Sequence, residues 1–248
     1  MPRQLDGTAL FRKLLSLDLY KIATGTFGDT TTTAPVIGDG SETTIGVTAT
    51  TNFSAADYAF CIGDGGTELF KVGTPAVSMP ITYKPKIPQS TGARFVEATK
   101  VSLGKLGEGG VNITPSKSLT AINSSVDDFP INYLDGVLEV SFSVPLLEWS
   151  NVNWALITGY ADDETGAGTT GDPYQTIIGK INQTLQGSQV FRLNGIRFDG
   201  KYGQIDLLDA HVEVSQGIDH NRQAPAVMVL AGKCTKLIAR QATTAFPW

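Results

Sequence analysis

The clearest pattern along the chain is the alternation of VLEVSFSV, residues 137–144. Val137, Glu139, Ser141 and Ser143 fall on one face, and Leu138, Val140, Phe142 and Val144 on the other. A period of two is that of a strand with one side against a core. The period then changes. In PLLEWSNVNWALITG (145–159), Leu146, Trp149, Val152 or Asn153, and Leu156 recur at helical spacing, Pro145 suits a first turn and Gly159 a stop. This predicts an α-helix over about 145–158, packed on a sheet through Leu146, Trp149, Trp154 and Leu156.

The rest of the chain reads as strands and loops. Residues 8–23 carry both a helical spacing (Leu10, Leu14, Leu17) and an alternation (Leu15, Leu17, Leu19), which a short helix leading into a strand near Thr24 satisfies. Residues 25–43 are a Gly/Thr/Asp/Pro loop. From 44 to 98 come short strand-like runs: TIGVTA, DYAFCIG, TELFKVG, SMPITYK and ARFVEA. In CIGDGGTELF, GDGG reads as a hairpin turn whose glycines supply positive φ. Cys61 and Ile62 then fall on opposite faces, and Glu68 faces solvent. VSLGKL and GVNIT continue the strands. The polar stretch 115–133 is a long loop, and 161–173 an acidic Gly/Thr loop. YQTIIGKI, QVFRLNGIRF, GQIDLLDAHVEVS and PAVMVLAGKCTKLI close the chain, the last apolar enough for burial on both faces.

Composition supports an all-β reading. The chain has 248 residues, 41% of them hydrophobic and only 17% charged, with 27 glycines. Thr, Ser, Asn and Gly replace the missing charge, which suits strands and turns. The formal net charge is −5 and no Lys/Arg run exceeds two residues, so the basic stripe of a nucleic-acid grip is missing. No apolar run approaches the ~18 residues of a membrane span, and MPRQLDGTALF lacks the pattern of a secretory signal. The expectation is therefore folding in a cytoplasm. The N-x-S/T matches at Asn52, Asn112, Asn123 and Asn182 then read as accidents of composition. Cys61 and Cys234 form no C-x-x-C pair and read as small buried apolar residues.

Candidate chemistry is sparse. His211 sits in the strand-like DAHVEVS and His220 in the polar turn GIDHNR; neither accompanies a nucleophile elbow or a zinc spacing. GAGTTG at 166–171 matches a phosphate-loop spacing. It follows a helix-like stretch and the acids Asp162, Asp163 and Glu164, which would repel phosphate. Calcium at those contiguous acids lacks the D-x-D-x-D-G spacing. These readings give no catalytic residue, no cofactor and no metal site.

Residues 93–237 resemble the major tail tube proteins of long-tailed (siphophage-like) bacteriophages. The order carries the resemblance: the strand pair ARFVEATKVSLGKL and GVNITPSKS, a long loop, VLEVSFSV, PLLEWSNVNWALITG, a Gly-rich gap, and FRLNGIRFDGKYGQIDLLDAHVEVSQGID. It implies a two-sheet β-sandwich or barrel with one flanking helix, formed by residues 1–43 and 93–248. Residues 44–92 would form a small inserted β module. It implies a structural virion protein, not an enzyme, whose hexameric rings stack into the tail tube and whose sheets join around the lumen. DNA would pass without specific binding and without a membrane. Other implied partners are tape measure, tail terminator and baseplate or tip proteins, with assembly in the host cytoplasm. The loop after the early strands would reach the next ring, engaging Pro115, Ser116, Lys117, Asp127, Asp128, Phe129 and Tyr133. The alternatives are a head decoration or tail-terminator subunit, and an enzyme or carbohydrate-binding β protein.

Overall fold

The computed structural model describes residues 13–104, 106, 111–123, 130–147, 160–161, 164–165, 176–177, 180–181, 189–213 and 228–244. All regular structure within them is β. The strands are β1 (Lys13–Ile22), β2 (Asp29–Thr31), β3 (Thr44–Gly46), β4 (Tyr58–Gly63), β5 (Gly66–Lys71), β6 (Ser78–Pro80), β7 (Arg94–Ser102), β8 (Asn112–Asn123) and β9 (Pro130–Leu146). Four two-residue strands follow: β10 (Tyr160–Ala161), β11 (Glu164–Thr165), β12 (Thr176–Ile177) and β13 (Lys180–Ile181). The last are β14 (Gln189–Ile196), β15 (Tyr202–Leu208), β16 (His211–Glu213), β17 (Met228–Cys234) and β18 (Lys236–Ala242).

One sheet runs β18-β15-β14-β1-β7-β4-β5, with β2 also on β7, and curls into a half-barrel. All its ladders are antiparallel. Strands from residues 44–92 therefore lie in the same sheet as β1 and β14. A second sheet runs β16-β17-β9-β8, and β3 pairs β6. The alternation of the sequence sorts the core. Leu17, Leu19, Phe191, Leu193, Ile205 and Leu207 leave one face of the curled sheet and meet Val140, Phe142, Val144 and Leu230 of the second sheet. Phe142 and Phe191 touch across this layer with ring centroids 5.3 Å apart. Burying such side chains contributes about 1.5–3 kcal/mol each. On the other face Tyr20, Phe60, Leu69, Val96, Val190 and Leu208 pack together. A third cluster joins Cys61, Phe70 and Phe95 to Ile45, Val47 and Met79 around β3 and β6.

Four expectations change. First, Pro145 and Leu146 end strand β9 instead of starting a helix; Leu146 is fully buried and lies opposite Met228 of β17. Pro145 lies opposite Val229 in the β17 ladder, past the last β8 pair at Ser143. Residues 148–159, with Trp149, Trp154 and Leu156, lie outside the described residues. Second, the stretch 115–133 is not one loop. Pro115–Asn123 belongs to β8 and Pro130–Tyr133 to β9, with Asp127, Asp128 and Phe129 outside the described residues. Third, PAVMVLAGKCTKLI is two strands in two sheets, and Val229 and Lys233 are exposed while Leu230 is buried, so β17 has one core face. Fourth, Glu68 is buried at 1% exposure and lies directly opposite Cys61. Of the GDGG glycines only Gly66 takes positive φ (+104°).

Candidate functional site

Two features rise above ordinary β packing: a projecting hairpin and a buried ionic cluster. The hairpin is β8–β9. β9 meets β17 only over Val140–Leu146, whereas β8 follows it from Ser143 down to Pro130. Among the described residues, 130–139 therefore extend past the pairing with β17 with β8 as their strand partner, a reach of about 33 Å at ~3.3 Å per residue. Between the pairs Lys117↔Leu138 and Leu119↔Asp135 the register shifts by one residue of β9, at Gly136 or Val137. Such a bulge bends a hairpin. Beyond it the register sets Leu119 opposite Asp135, Ala121 opposite Tyr133 and Ile122 opposite Asn132. A two-stranded ribbon is marginal on its own and calls for cover. Among the residues singled out from sequence, Pro115, Ser116 and Lys117 lie on this hairpin opposite Val140, Glu139 and Leu138, and are exposed. Tyr133 lies opposite Ala121.

The ionic cluster lies where the curled sheet's two ends approach. Register places Arg192 opposite Asp206, inside the ladder of β14 and β15. Their exposures are 1% and 0%. Arg192 donates Nε to Asp206 Oδ1 at 2.7 Å and Nη2 to Oδ2 at 2.9 Å, a two-pronged pair. The rings of Tyr20 and Tyr83 lie over its guanidinium, each 5.2 Å from the centroid. Arg240 of β18 donates to Asp206 Oδ2 and, at 3.5 Å, to Glu68 Oε1 of β5. Glu68 also accepts the backbone N–H groups of Lys86 (3.0 and 2.9 Å) and Ile87 (2.9 Å).

A polar clasp completes the seam. Asp209, at φ +48°, accepts the N–H of Thr67 at 3.1 Å, and Lys236 donates to the Gly65 carbonyl. A Cβ on Gly66 would stand 3.0 Å from Asp209 Oδ2, so glycine there admits the carboxylate. Side chains thus join β5 to β15 and β18 where the sheet order shows no ladder between them.

Burial sets the electrostatics. It would raise the Asp206 carboxyl, but Arg192 and then Arg240 outweigh it and hold the group below the usual range. Burial would lower Arg192, but Asp206 reverses this and the guanidinium stays charged. For Glu68 burial wins over the Lys86 and Ile87 N–H groups and Arg240, and its carboxyl is pushed up. Burial likewise raises Tyr20 and Tyr83. Every charge here is spent on a neighbour. The arrangement ties β5 to β15 and β18.

Elsewhere, Cys61 and Cys234 are free and buried in different clusters. His211 is exposed in β16 opposite Lys233; His220 lies outside the described residues. Among the described residues no group of His, Cys, Asp and Glu could hold a metal ion, and no helix is long and apolar enough to cross a membrane. Of the acids 162–164, Glu164 pairs with Ile177, and the other two lie outside the described residues. Sequence reading placed Glu68 in solvent and passed over Arg192 and Asp206. The available signal was one ionisable residue flanked by apolar neighbours in a strand: ELF, VFRLN and QIDLL. No protein-family model matches the chain, and no curated protein matches it either.

Proposed function

We propose that this chain is a structural virion subunit of the tail-tube type. It self-associates into hexameric rings that stack into the conduit for DNA ejection. The observation that supports this most is the β8–β9 hairpin, which among the described residues runs beyond the part of its sheet paired with β17. Such an arm gains its cover from a second copy, and the reading assigns it the contact between successive rings. The two-sheet sandwich, and a flanking helix following β9, belong to the same reading. The acidic balance of −5 suits a channel wall along which DNA slides without being held. Tape measure, tail terminator and tip proteins would be the other partners, in the virion tail assembled in the host cytoplasm. The role is mechanical and asks no catalysis of the chain.

Electron microscopy of the purified protein tests this. Stacked rings with a central hole are expected. Replacing Leu119–Asp135 by an Asn-Gly turn should leave a folded subunit that no longer stacks. Normal tubes from that variant sink the role of the arm. A monomer at high concentration that decorates preformed heads sinks the tube assignment itself.

A further inference from the structure

The turn between β14 and β15 displays a side chain that every core cluster leaves out. Phe198 is 66% exposed, and among the described side chains no other aromatic ring is exposed. The turn beneath it is fixed. The Arg197 N–H donates to the Lys201 carbonyl at 2.8 Å, and the Gly200 N–H donates to the Arg197 carbonyl at 3.1 Å. Asp199 accepts the Lys201 N–H at 3.1 Å, and Arg197 reaches Gln241 of β18 at 2.7 Å. The ring therefore stands on a braced post, and covering it costs little ordering entropy. Arg197 and Lys201 flank it with positive charge, against the single acid Asp199, which lies 3.5 Å from Arg197.

A groove of about 590 Å³ lies between Pro35–Ile37 and Pro88–Thr91, with Asp64 and Gly65 also lining it. Pro35 and Pro88 are exposed, and Ile37 is 61% exposed. The Val36↔Gln89 bridge joins the two walls. Asp64 is exposed and accepts the Ser90 hydroxyl at 2.5 Å and the Ser90 N–H at 3.0 Å, which hold its carboxyl below the usual range. Asp39 follows Ile37 closely, and Glu42 accepts the Ile37 N–H at 2.8 Å. The bases here are Lys86, whose Nζ a Cβ on Gly40 would meet, and Lys236, which donates to the Gly65 carbonyl beside Asp209. Acids thus outnumber bases around the groove, and bases outnumber acids on the Phe198 turn.

The two features lie at opposite ends of one strand pair. Phe198 stands past the Tyr202↔Ala242 pair of β15 and β18, and the Gly65 turn lies beside the Leu208↔Lys236 pair. Six steps along β15 separate those pairs, about 20 Å at ~3.3 Å per residue. A chain therefore cannot seat its own ring in its own groove. We propose that Phe198 of one copy docks in the Pro35–Ile37 and Pro88–Thr91 groove of a second copy, with Arg197 and Lys201 facing Asp64 and Asp39. This rests on the self-association reading above and assigns it a contact. An aromatic side chain in a pocket, bordered by charge, is the common form of an interface anchor. A knob and a groove on different surfaces make a head-to-tail contact, which repeats from copy to copy and closes a ring where the rotation allows.

Sedimentation velocity of the full chain over a concentration series tests the contact. The parent should associate. Phe198→Ala on the knob and Ile37→Asp in the groove should each weaken association at least about tenfold, with unchanged circular dichroism. Pro88→Ser takes the place of Ile37→Asp if that variant does not fold. Lys201→Glu should weaken association as well. Rings from the parent and equally strong association of Phe198→Ala overturn the knob and leave the self-association reading standing. Weakening by Phe198→Ala but by neither groove variant overturns the groove as its seat. A parent that is monomeric at every concentration overturns the contact and the reading together. Anionic phospholipid vesicles that then bind the parent but not Phe198→Ala give the ring to a lipid surface instead.

Discussion

Substituting Asp206 by alanine removes one carboxylate and strands Arg192. The native Asp206 is completely buried and takes two hydrogen bonds from Arg192, at 2.7 and 2.9 Å, and one from Arg240. In Asp206→Ala, Arg240 keeps Glu68 and, at 14% exposure, some water. Arg192, at 1% exposure, keeps no counter-ion in contact and cannot shed its proton near neutral pH. Breaking a buried pair in this way costs about 3–5 kcal/mol, against about 0–1 kcal/mol for an exposed pair such as Lys233–Glu139. Replacing both partners, Arg192→Met with Asp206→Leu, removes the stranded charge, so the double variant should be more stable than Asp206→Ala. Urea titrations followed by circular dichroism give each difference, provided the slope is unchanged. A cost below about 1 kcal/mol for Asp206→Ala would refute the reasoning, as would a double variant equal to the sum of its singles.

Three further outcomes follow from the same geometry. Burial pushes Glu68 up from 4.5, so its contribution is fully present below that pH and is lost as pH rises through the higher folded value. Glu68→Gln should therefore gain stability relative to the parent from about pH 4.5 towards neutrality, and a pH-independent difference in urea midpoints would count against it. Burial, reinforced at Cys61 by Glu68 and at Cys234 by Asp209, pushes the two thiols up to about 12 and about 11. The native protein should not react with Ellman's reagent at about pH 8, while denatured protein titrates both thiols; fast native release of the dye contradicts the burial. A Cβ at Gly65 would press on the Pro88 carbonyl and stand 2.8 Å from Ile87 Cγ2, so Gly65→Ala should lower stability by ~1–3 kcal/mol, and a thermal melt within error of the parent would show that the turn yields freely.

What the sequence made legible was local. VLEVSFSV announces its strand because only one face meets a core, and the structure buries Val140, Phe142 and Val144 while leaving Glu139 exposed. The helical spacing misled at Pro145 and Leu146, which continue β9, because a strand residue can fall at an interval that a helix face also uses. Polar SKSLTAIN gave no strand pattern, since among the described residues β8 pairs with β9 alone and backbone pairing there does not require alternation. Glu68 was placed in solvent by alternation with Leu69. Yet both sides of β5 are covered, Leu69 by the inner cluster and Glu68 by the segment of Lys86 and Ile87. The ionic cluster depends on contacts over 172 residues, between Arg240 and Glu68, and over 14 within the Arg192–Asp206 ladder. No local window contains the first of these.

The change of sheet at Thr235 has a mechanical meaning. β17 and β18 are separated by that one residue, yet β17 lies against β9 and β18 against β15. A pull on the far end of the β8–β9 hairpin therefore runs along β9 and loads its pairing with β17 in shear. It then crosses the single residue Thr235 into β18 and spreads into the curled sheet through seven residue pairs, Tyr202↔Ala242 to Leu208↔Lys236. Strands loaded along their length share the force among all their hydrogen bonds instead of unzipping one at a time. The two sheets thus behave as one load-bearing body, anchored at the root of the arm.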